Sequence, residues 1–225
     1  MRLALFDLDH TLLTGDSDVL WCDFLLQHGL LDDGFRARNA QMERDYAAGT
    51  VSPAEFCGFF ASTLGGHEPA FWAPWRQRFL DEVVRGRIPG AARRLLQQHR
   101  EAGDTLVLTT ATNRLLTELT AEDLGLTHLI ATELEVVAGR LSGRTAGVLN
   151  MRAGKVERLK HWLDGQGWPQ GLLAEAAFYS DSINDLPLLC AVGRPVAVDP
   201  DDRLLREAQQ RRWPVLRLDR QQGAA

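Results

Sequence analysis

The first apolar positions form one unbroken run, "LALF" at 3–6, and polar residues follow directly in "DLDHT". A short continuous apolar run with polar punctuation predicts a strand buried on both faces. The period then changes. Val19, Leu20, Phe24 and Leu25 fall near helical spacing and predict a helix from residue 17 to about 30. Residues 35–48, 53–64 and 70–86 predict three more helices, and the second of these opens with Ser52 as a cap and Pro53 in its first turn. Of 17 aromatic residues, 11 lie between Trp21 and Phe79, which is enough large apolar surface for a small core of its own. Residues 15–86 therefore read as a helical insert.

From residue 88 strands and helices alternate. "IPGAARRLLQQHREAG" (88–103) predicts a helix opened by Pro89 and closed by Gly103, and "TLVLTT" (105–110) predicts a strand. Residues 113–125 predict a helix ended by Gly125, and 128–147 predict strands with a hairpin around "AGRLSG". A helix over 155–167, a strand over 176–181, a helix over 186–193 and a strand over 195–198 follow, and "RQQGAA" reads as a loose tail. Short apolar strands alternating with amphipathic helices predict an α/β fold with a mostly parallel sheet covered on both faces.

That topology assigns a place to the polar residues. In open parallel sheets ligands bind at the carboxyl ends of the strands. Asp7 and Asp9 follow the first strand, Thr110 ends "TLVLTT", Asp181 ends "AAFYSD", and Lys155 starts a helix between them. All are expected at one edge of one sheet. Carboxylates gathered there repel: two unit charges about 4 Å apart cost about 4 kcal/mol at an effective dielectric of about 20. A hard divalent cation relieves that repulsion, and Mg²⁺ prefers oxygen ligands and keeps phosphate among them. A carboxylate held beside phosphate can act as a nucleophile. A second aspartate two residues on can give and then take a proton. Thr110 and the backbone N–H groups opening the next helix can bind phosphate oxygens, and Lys155 supplies positive charge. Taken singly, Asp7 and Asp9 also fit a turn and a helix cap, Thr110 a strand end, and Lys155 a solvated helix residue.

The series as a whole resembles the haloacid-dehalogenase-like phosphatases. "FDLDHT" is similar to their D-x-D-x-T first motif, "LVLTT" to the second, "GKVERL" to the third and "SDSINDLPLL" to the fourth, in the family's order over roughly residues 3–199. The insert resembles the helical cap of the phosphoserine-phosphatase-like branch, which includes histidinol-phosphatase-like members. The resemblance implies a Rossmann-like three-layer α/β/α catalytic core of residues 1–14 and 87–225, with residues 15–86 as an inserted cap. It implies Asp7 as nucleophile and Asp9 as general acid and then base. Asp7, Asp181 and the Asp9 main-chain carbonyl would hold Mg²⁺. Thr110 and Lys155 would hold the phosphoryl group, with Ala111 and Asn184 among the phosphate contacts. Asp185 would orient waters or Lys155, and Thr11 would brace the turn. The activity implied is a Mg²⁺-dependent phosphomonoesterase acting through an aspartyl-phosphate.

Substrate signals are fewer. Asp16 matches the acid that grips the substrate ammonium in phosphoserine phosphatases, and "GDSD" equally fits a helix N-cap. The arginine stretch that grips the serine carboxylate in those enzymes is missing, and Arg44 is the one loose candidate. The expected substrate is a small amine-bearing phosphomonoester, with phosphoserine and histidinol phosphate leading. Phosphotransfer through the same intermediate is the nearest rival. A receiver-like phospho-acceptor module is the rival of another class, although D-x-D and the insert weigh against it.

Composition narrows the rest. The chain has 225 residues, is 45% hydrophobic and carries a formal net charge of -5, which supports one sizeable core and no nucleic-acid partner. Its apolar runs are short for a membrane span and its N-terminus lacks signal-peptide features. Cys22, Cys57 and Cys190 share no metal-like spacing and read as reduced cysteines of a cytoplasmic protein. His10 sits between two expected functional residues but reads as structural or solvent-facing.

Overall fold

Leu3–Phe6 (β1) is buried along its whole length, and its alternation divides the core in two. Leu3 and Leu5 pack with Val107 and Phe178 on one face, while Ala4 and Phe6 pack with Leu106 and Leu108 on the other. A strand in mid-sheet with helices on both sides needs apolar residues at every position. The computed structural model describes residues 1–218, so the expected tail "RQQGAA" lies outside the described residues. Seven strands form one sheet: β1, β2 (Thr105–Asn113), β3 (His128–Val137), β4 (Arg140–Ala146), β5 (Ala177–Ser180), β6 (Arg194–Val198) and β7 (Val215–Leu216). Their order is β4-β3-β2-β1-β5-β6-β7. Every pairing is parallel except β3 with β4, a hairpin turning at Ala138 and Gly139. Both turn residues have positive φ, +49° and +80°, as a two-residue turn that matches strand twist requires.

Helices α5 (Gly90–Glu101) and α6 (Arg114–Asp123) cover the Phe6 face through Ala92, Leu96, Leu116 and Ala121. The Leu5 face is covered by α7 (Ala153–Gly165), α8 (Leu186–Ala191) and α9 (Asp202–Arg211), through Leu159, Leu163, Leu188, Leu189, Leu204 and Ala208. The result is a mostly parallel, three-layer, Rossmann-like core. Sequence reading did not anticipate α9 or β7. Only Leu204 and Ala208 of α9 are buried, one turn apart among charged residues, which leaves little apolar signal.

The aromatic-rich segment of residues 15–86 folds as α1 (Ser17–Gln27), α2 (Gly34–Ala48), α3 (Pro53–Ser62) and α4 (Pro69–Phe79). The fourth helix stops being α-helical at Phe79 and continues as a π turn (Leu80–Val84) and a 3-10 turn (Arg85–Arg87). Ile88 and Pro89 then leave helical backbone, as the proline ring demands. The rings of this segment do not form one separate core. Trp21, Phe24, Trp72 and Phe79 merge with the core on the Phe6 face, while Cys22, Phe35 and Phe60 form a smaller cluster with Phe56 and Phe59. Among the described residues no helix is long and apolar enough to cross a membrane.

β2 also differs from expectation. It does not end at Thr110 but runs to Asn113, with a register shift between those residues. A bulge re-aims side chains at a sheet edge, and here it lies beside the residues expected to bind phosphate.

Candidate active site

Asp7 extends the ladder of β1: its N–H donates to Tyr179 O at 2.9 Å. The chain then turns over the Leu8 carbonyl, which accepts from the N–H groups of Thr11, Leu12 and Leu13. This turn sets Asp7, Asp9 and Thr11 at the carboxyl edge of the sheet, beside the residues that follow β5. The Thr11 hydroxyl lies 3.3 Å from Asp7 Oδ2 and 3.1 Å from Asp181 Oδ1, and it accepts from Asp181 N at 3.1 Å. Thr11 thus ties the first acid to the acid 174 positions later, as a brace between two loops.

Lys155, in the first turn of α7, is buried between two carboxylates. Its Nζ donates to Asp7 Oδ1 and to Asp185 Oδ2, each at 2.7 Å. Ser180 Oγ also donates to Asp185 Oδ2, at 2.8 Å. Burial alone would lower the Lys155 pKa, but Asp185 and Asp7 outweigh it and hold the ammonium above its ordinary value. The lysine is a fixed positive charge.

Asp9 occupies a different environment. Its Oδ1 accepts from Ser17 N at 2.7 Å and its Oδ2 from Thr112 Oγ1 at 2.9 Å. Burial, then the neighbouring Asp16, pushes its pKa up to about 6. Asp7 is pushed up to about 7 by burial, against the opposing pull of Lys155. Asp181 is driven well above the usual carboxylate range by burial and by Asp7 and Asp185.

These groups surround a cavity of about 190 Å³. Six aspartates line it (Asp7, Asp9, Asp16, Asp18, Asp181 and Asp185) against a single lysine, so the site is built to receive positive charge. His10 also lines it, from a left-handed backbone at φ +56°. Beside Asp16 and Asp18, the helical segment of residues 15–86 contributes Tyr46, Phe56 and Cys57 to the walls. Tyr46 reaches across to the sheet-bearing part: its hydroxyl meets Met151 Sδ and Asn184 Nδ2 at 3.4 Å each, and Arg152 packs over its ring.

Several expected residues stand elsewhere than sequence reading placed them. Thr110 is fully buried and its hydroxyl accepts from Thr112 N at 3.2 Å; Ala111 and Thr112 line the cavity in its place, because of the bulge. Asn150 holds this segment by donating to Thr110 O at 2.9 Å and to Thr109 Oγ1 at 3.0 Å. Arg44 does not line the cavity; it is exposed and donates to Gln41 Oε1 at 2.6 Å. It precedes Tyr46 by two positions, about 200° around the helix, so Tyr46 facing the site turns Arg44 away. Asp16 satisfies both of its readings: Oδ1 caps α1 by accepting from Asp18 N and Val19 N, and the side chain lines the cavity. Sequence reading missed Asp18 and Thr112. Their only signal was a repeated spacing, Asp18 two after Asp16 and Thr112 two after Thr110.

The donor set suits Mg²⁺. Asp7 and Asp181 share Thr11, every candidate ligand is oxygen, and Lys155 bonds Asp7 through Oδ1, which leaves Oδ2 on the Asp181 side. Among the described residues no three His, Cys, Asp or Glu side chains form a ready metal cage. Mg²⁺ needs none: it is held by one or two carboxylates, with carbonyl, water and phosphate oxygens completing its octahedron.

Residues 4–189 match the family model described as haloacid dehalogenase-like hydrolase. A histidinol-phosphatase of Neisseria meningitidis serogroup C (strain 8013) is 37% identical over 217 residues, 96% of this chain and 98% of that protein. A crystal structure of a protein of unknown function from Bordetella pertussis Tohama I superposes with TM-score 0.91 at 43% identity, covering 96% of this chain and 97% of the other. A substrate-bound phosphoserine phosphatase shares the fold, with TM-score 0.69 at 17% identity over 96% of this chain and 92% of the other. With the motifs in order along the sheet edge and the family model matched across most of its length, the chain belongs to the haloacid dehalogenase-like hydrolases.

Proposed function

We propose that the protein is a Mg²⁺-dependent phosphomonoesterase that hydrolyses a small amine-bearing metabolite phosphate through an aspartyl-phosphate on Asp7. The observation that carries this reading is the setting of Asp7: one oxygen on Lys155 at 2.7 Å, the other beside Thr11 and Asp181, with Asp9 two residues on. In the first step an Asp7 oxygen attacks phosphorus and the ester P–O bond breaks. Asp9 gives its proton to the departing alkoxide. In the second step Asp9 takes a proton from water as that water attacks phosphorus, and the bond to Asp7 breaks. A carboxyl raised to about 6 can hold and release a proton near neutral pH. The chemistry that Mg²⁺ supplies, held by Asp7, Asp181 and the Asp9 carbonyl, is neutralisation of the charge between carboxylate and phosphate.

Residues 15–86 serve as a cap over the core of residues 1–14 and 87–225, and the Tyr46 contacts to Met151 and Asn184 support this division. Asp16 on the cavity wall supports a substrate with an ammonium group. Phosphoserine and histidinol phosphate are the candidates, and the histidinol-phosphatase name of the Neisseria relative favours the second. The test is phosphate release from a panel of metabolite phosphates, with Mg²⁺ and with chelator, by the parent and by Asp7→Asn. Mg²⁺-dependent release that disappears in the variant supports the reading. No release from any compound by folded, Mg²⁺-supplemented protein refutes it.

A further inference from the structure

Asp18 is a buried carboxylate that the proposed reaction does not use. It is 8% exposed, lines the cavity, and pairs with no cation among the described residues. Thr112 Oγ1 lies 3.2 Å from its Oδ2 but has one proton, which the nearer Asp9 Oδ2 at 2.9 Å also claims, and the Asp18 Oδ1 receives no hydrogen bond from the described residues. Asp16, two positions earlier, spends only Oδ1 on capping α1 and leaves its Oδ2 in the same condition. Burial, then Asp16 and Asp9, holds the Asp18 pKa well above its ordinary value. Two carboxyl groups buried together at a cavity wall without a counter-charge work against folding. Such violations of local preference concentrate where a ligand completes them.

The remaining walls describe that ligand. Tyr46 and Phe56 stack at 4.1 Å between ring centroids, 26° from parallel, and both line the cavity. The stack and Arg152 occupy the faces of Tyr46, so the pair offers ring edges, which take a flat ring edge-to-face. Lys155 is the one lysine or arginine on the walls, and both of its bonds go to Asp7 and Asp185. Arg152, at the rim, is engaged with the Tyr46 ring and with Asn184 Oδ1 at 3.3 Å. A carboxylate on the substrate would face six aspartates across a cavity whose one lining lysine is already paired.

Resting on the phosphomonoesterase reading, we propose that Asp18 is a specificity-determining residue: it accepts an N–H from a second nitrogen group of the substrate. That group is a flat N–H heteroaromatic ring lying against Tyr46 and Phe56, while Asp16 takes the ammonium. The substrate class is a phosphate ester of an amino alcohol that carries such a ring and no carboxylate. Histidinol phosphate has this chemistry; phosphoserine and phosphoethanolamine do not.

The test is kcat and KM for histidinol phosphate, phosphoethanolamine and p-nitrophenyl phosphate with the parent, Asp18→Asn and Thr112→Val. A lost hydrogen bond to a charged group corresponds to a factor of about 10–100. Asp18→Asn should lose that factor in kcat/KM for histidinol phosphate relative to the other two substrates, mainly through KM. Thr112→Val, which also disturbs Asp9, should slow all three alike. The neutral amide relieves the repulsion with Asp16, so ligand-free Asp18→Asn should melt no lower than the parent, whereas a structural Asp18 would require a drop. Histidinol alone should raise the melting temperature of the parent but not of Asp18→Asn, a readout that survives even if no phosphate is released. Equal loss on all substrates, no loss, a parent that prefers phosphoethanolamine, or equal stabilisation of both proteins by histidinol would each overturn the proposal.

Discussion

Lys155→Met tests the electrostatic framework of the site. The ammonium is 3% exposed and its partners Asp7 and Asp185 are 10% and 5% exposed by side chain, so solvent screens these pairs little. Removing one partner of a buried ion pair costs about 3–5 kcal/mol, because the other charge stays buried and unpaired. For a chain of this size each kcal/mol moves the melting temperature by about 2–4 °C, so the expected drop is about 6–20 °C. The drop should depend on pH with a definite sign. Burial already holds Asp7 at about 7 against the pull of Lys155, and without the lysine its folded pKa rises further. A carboxyl raised above its unfolded value stabilises at low pH, and that contribution is lost as pH rises through the folded pKa. The deficit should therefore be smaller near pH 5 than near pH 8. The double variant Lys155→Met/Asp185→Asn removes one stranded charge and should recover at least about 1 kcal/mol near pH 8. The assay is thermal and urea unfolding in chelator at both pH values. A melting temperature within about 2 °C of the parent near pH 8, or the same deficit at both pH values, would refute the reasoning.

Other predictions follow from the same contacts. Thr112→Val deletes the hydroxyl that donates to Asp9 Oδ2 and should lower kcat about 10- to 100-fold, read by steady-state kinetics. In metal-free protein Asp9 at about 6 and Asp7 at about 7 both lie above their unfolded values, so the melting temperature should fall as pH climbs through that range, and Mg²⁺ should remove most of the slope. Asn150→Ala frees the carbonyl of Thr110 and should lower stability by about 1–3 kcal/mol in urea unfolding. Cys190 is exposed while Cys22 and Cys57 are buried, and burial pushes the Cys57 thiol up to about 12. Alkylation of native protein near neutral pH should therefore label Cys190 first and the other two only on unfolding, read by mass spectrometry.

The sheet edge was legible in the sequence because β1, β2 and β5 are short, apolar and parallel. Polarity alone then sends Asp7, the 110–113 segment and Asp181 to one side. Asp16 was legible for the same local reason, since a capping aspartate must sit at the start of α1. The cavity's other wall was not legible. Asp18 and Thr112 meet across 94 positions only because the bulge in β2 turns Thr112 toward α1. Tyr46 and Phe56 look like core aromatics in a segment full of them, and only the packing of α2 against α3 brings them to the cavity. Arg44 attracted notice for its charge, and helix phase removed it. Charge and composition are visible residue by residue, whereas phase, bulges and crossings belong to the folded chain.

The central claim is that Asp7 carries the phosphoryl group, and a rapid acid quench tests it most directly. Parent protein with Mg²⁺ and ³²P-labelled histidinol phosphate, stopped during the first turnover, should hold phosphate in a protein-bound, hydroxylamine-labile form. Peptide mapping should place that label at Asp7, and Asp7→Asn should show neither label nor release. Steady phosphate release without any protein-bound label, or label and release that persist in Asp7→Asn, would contradict the account.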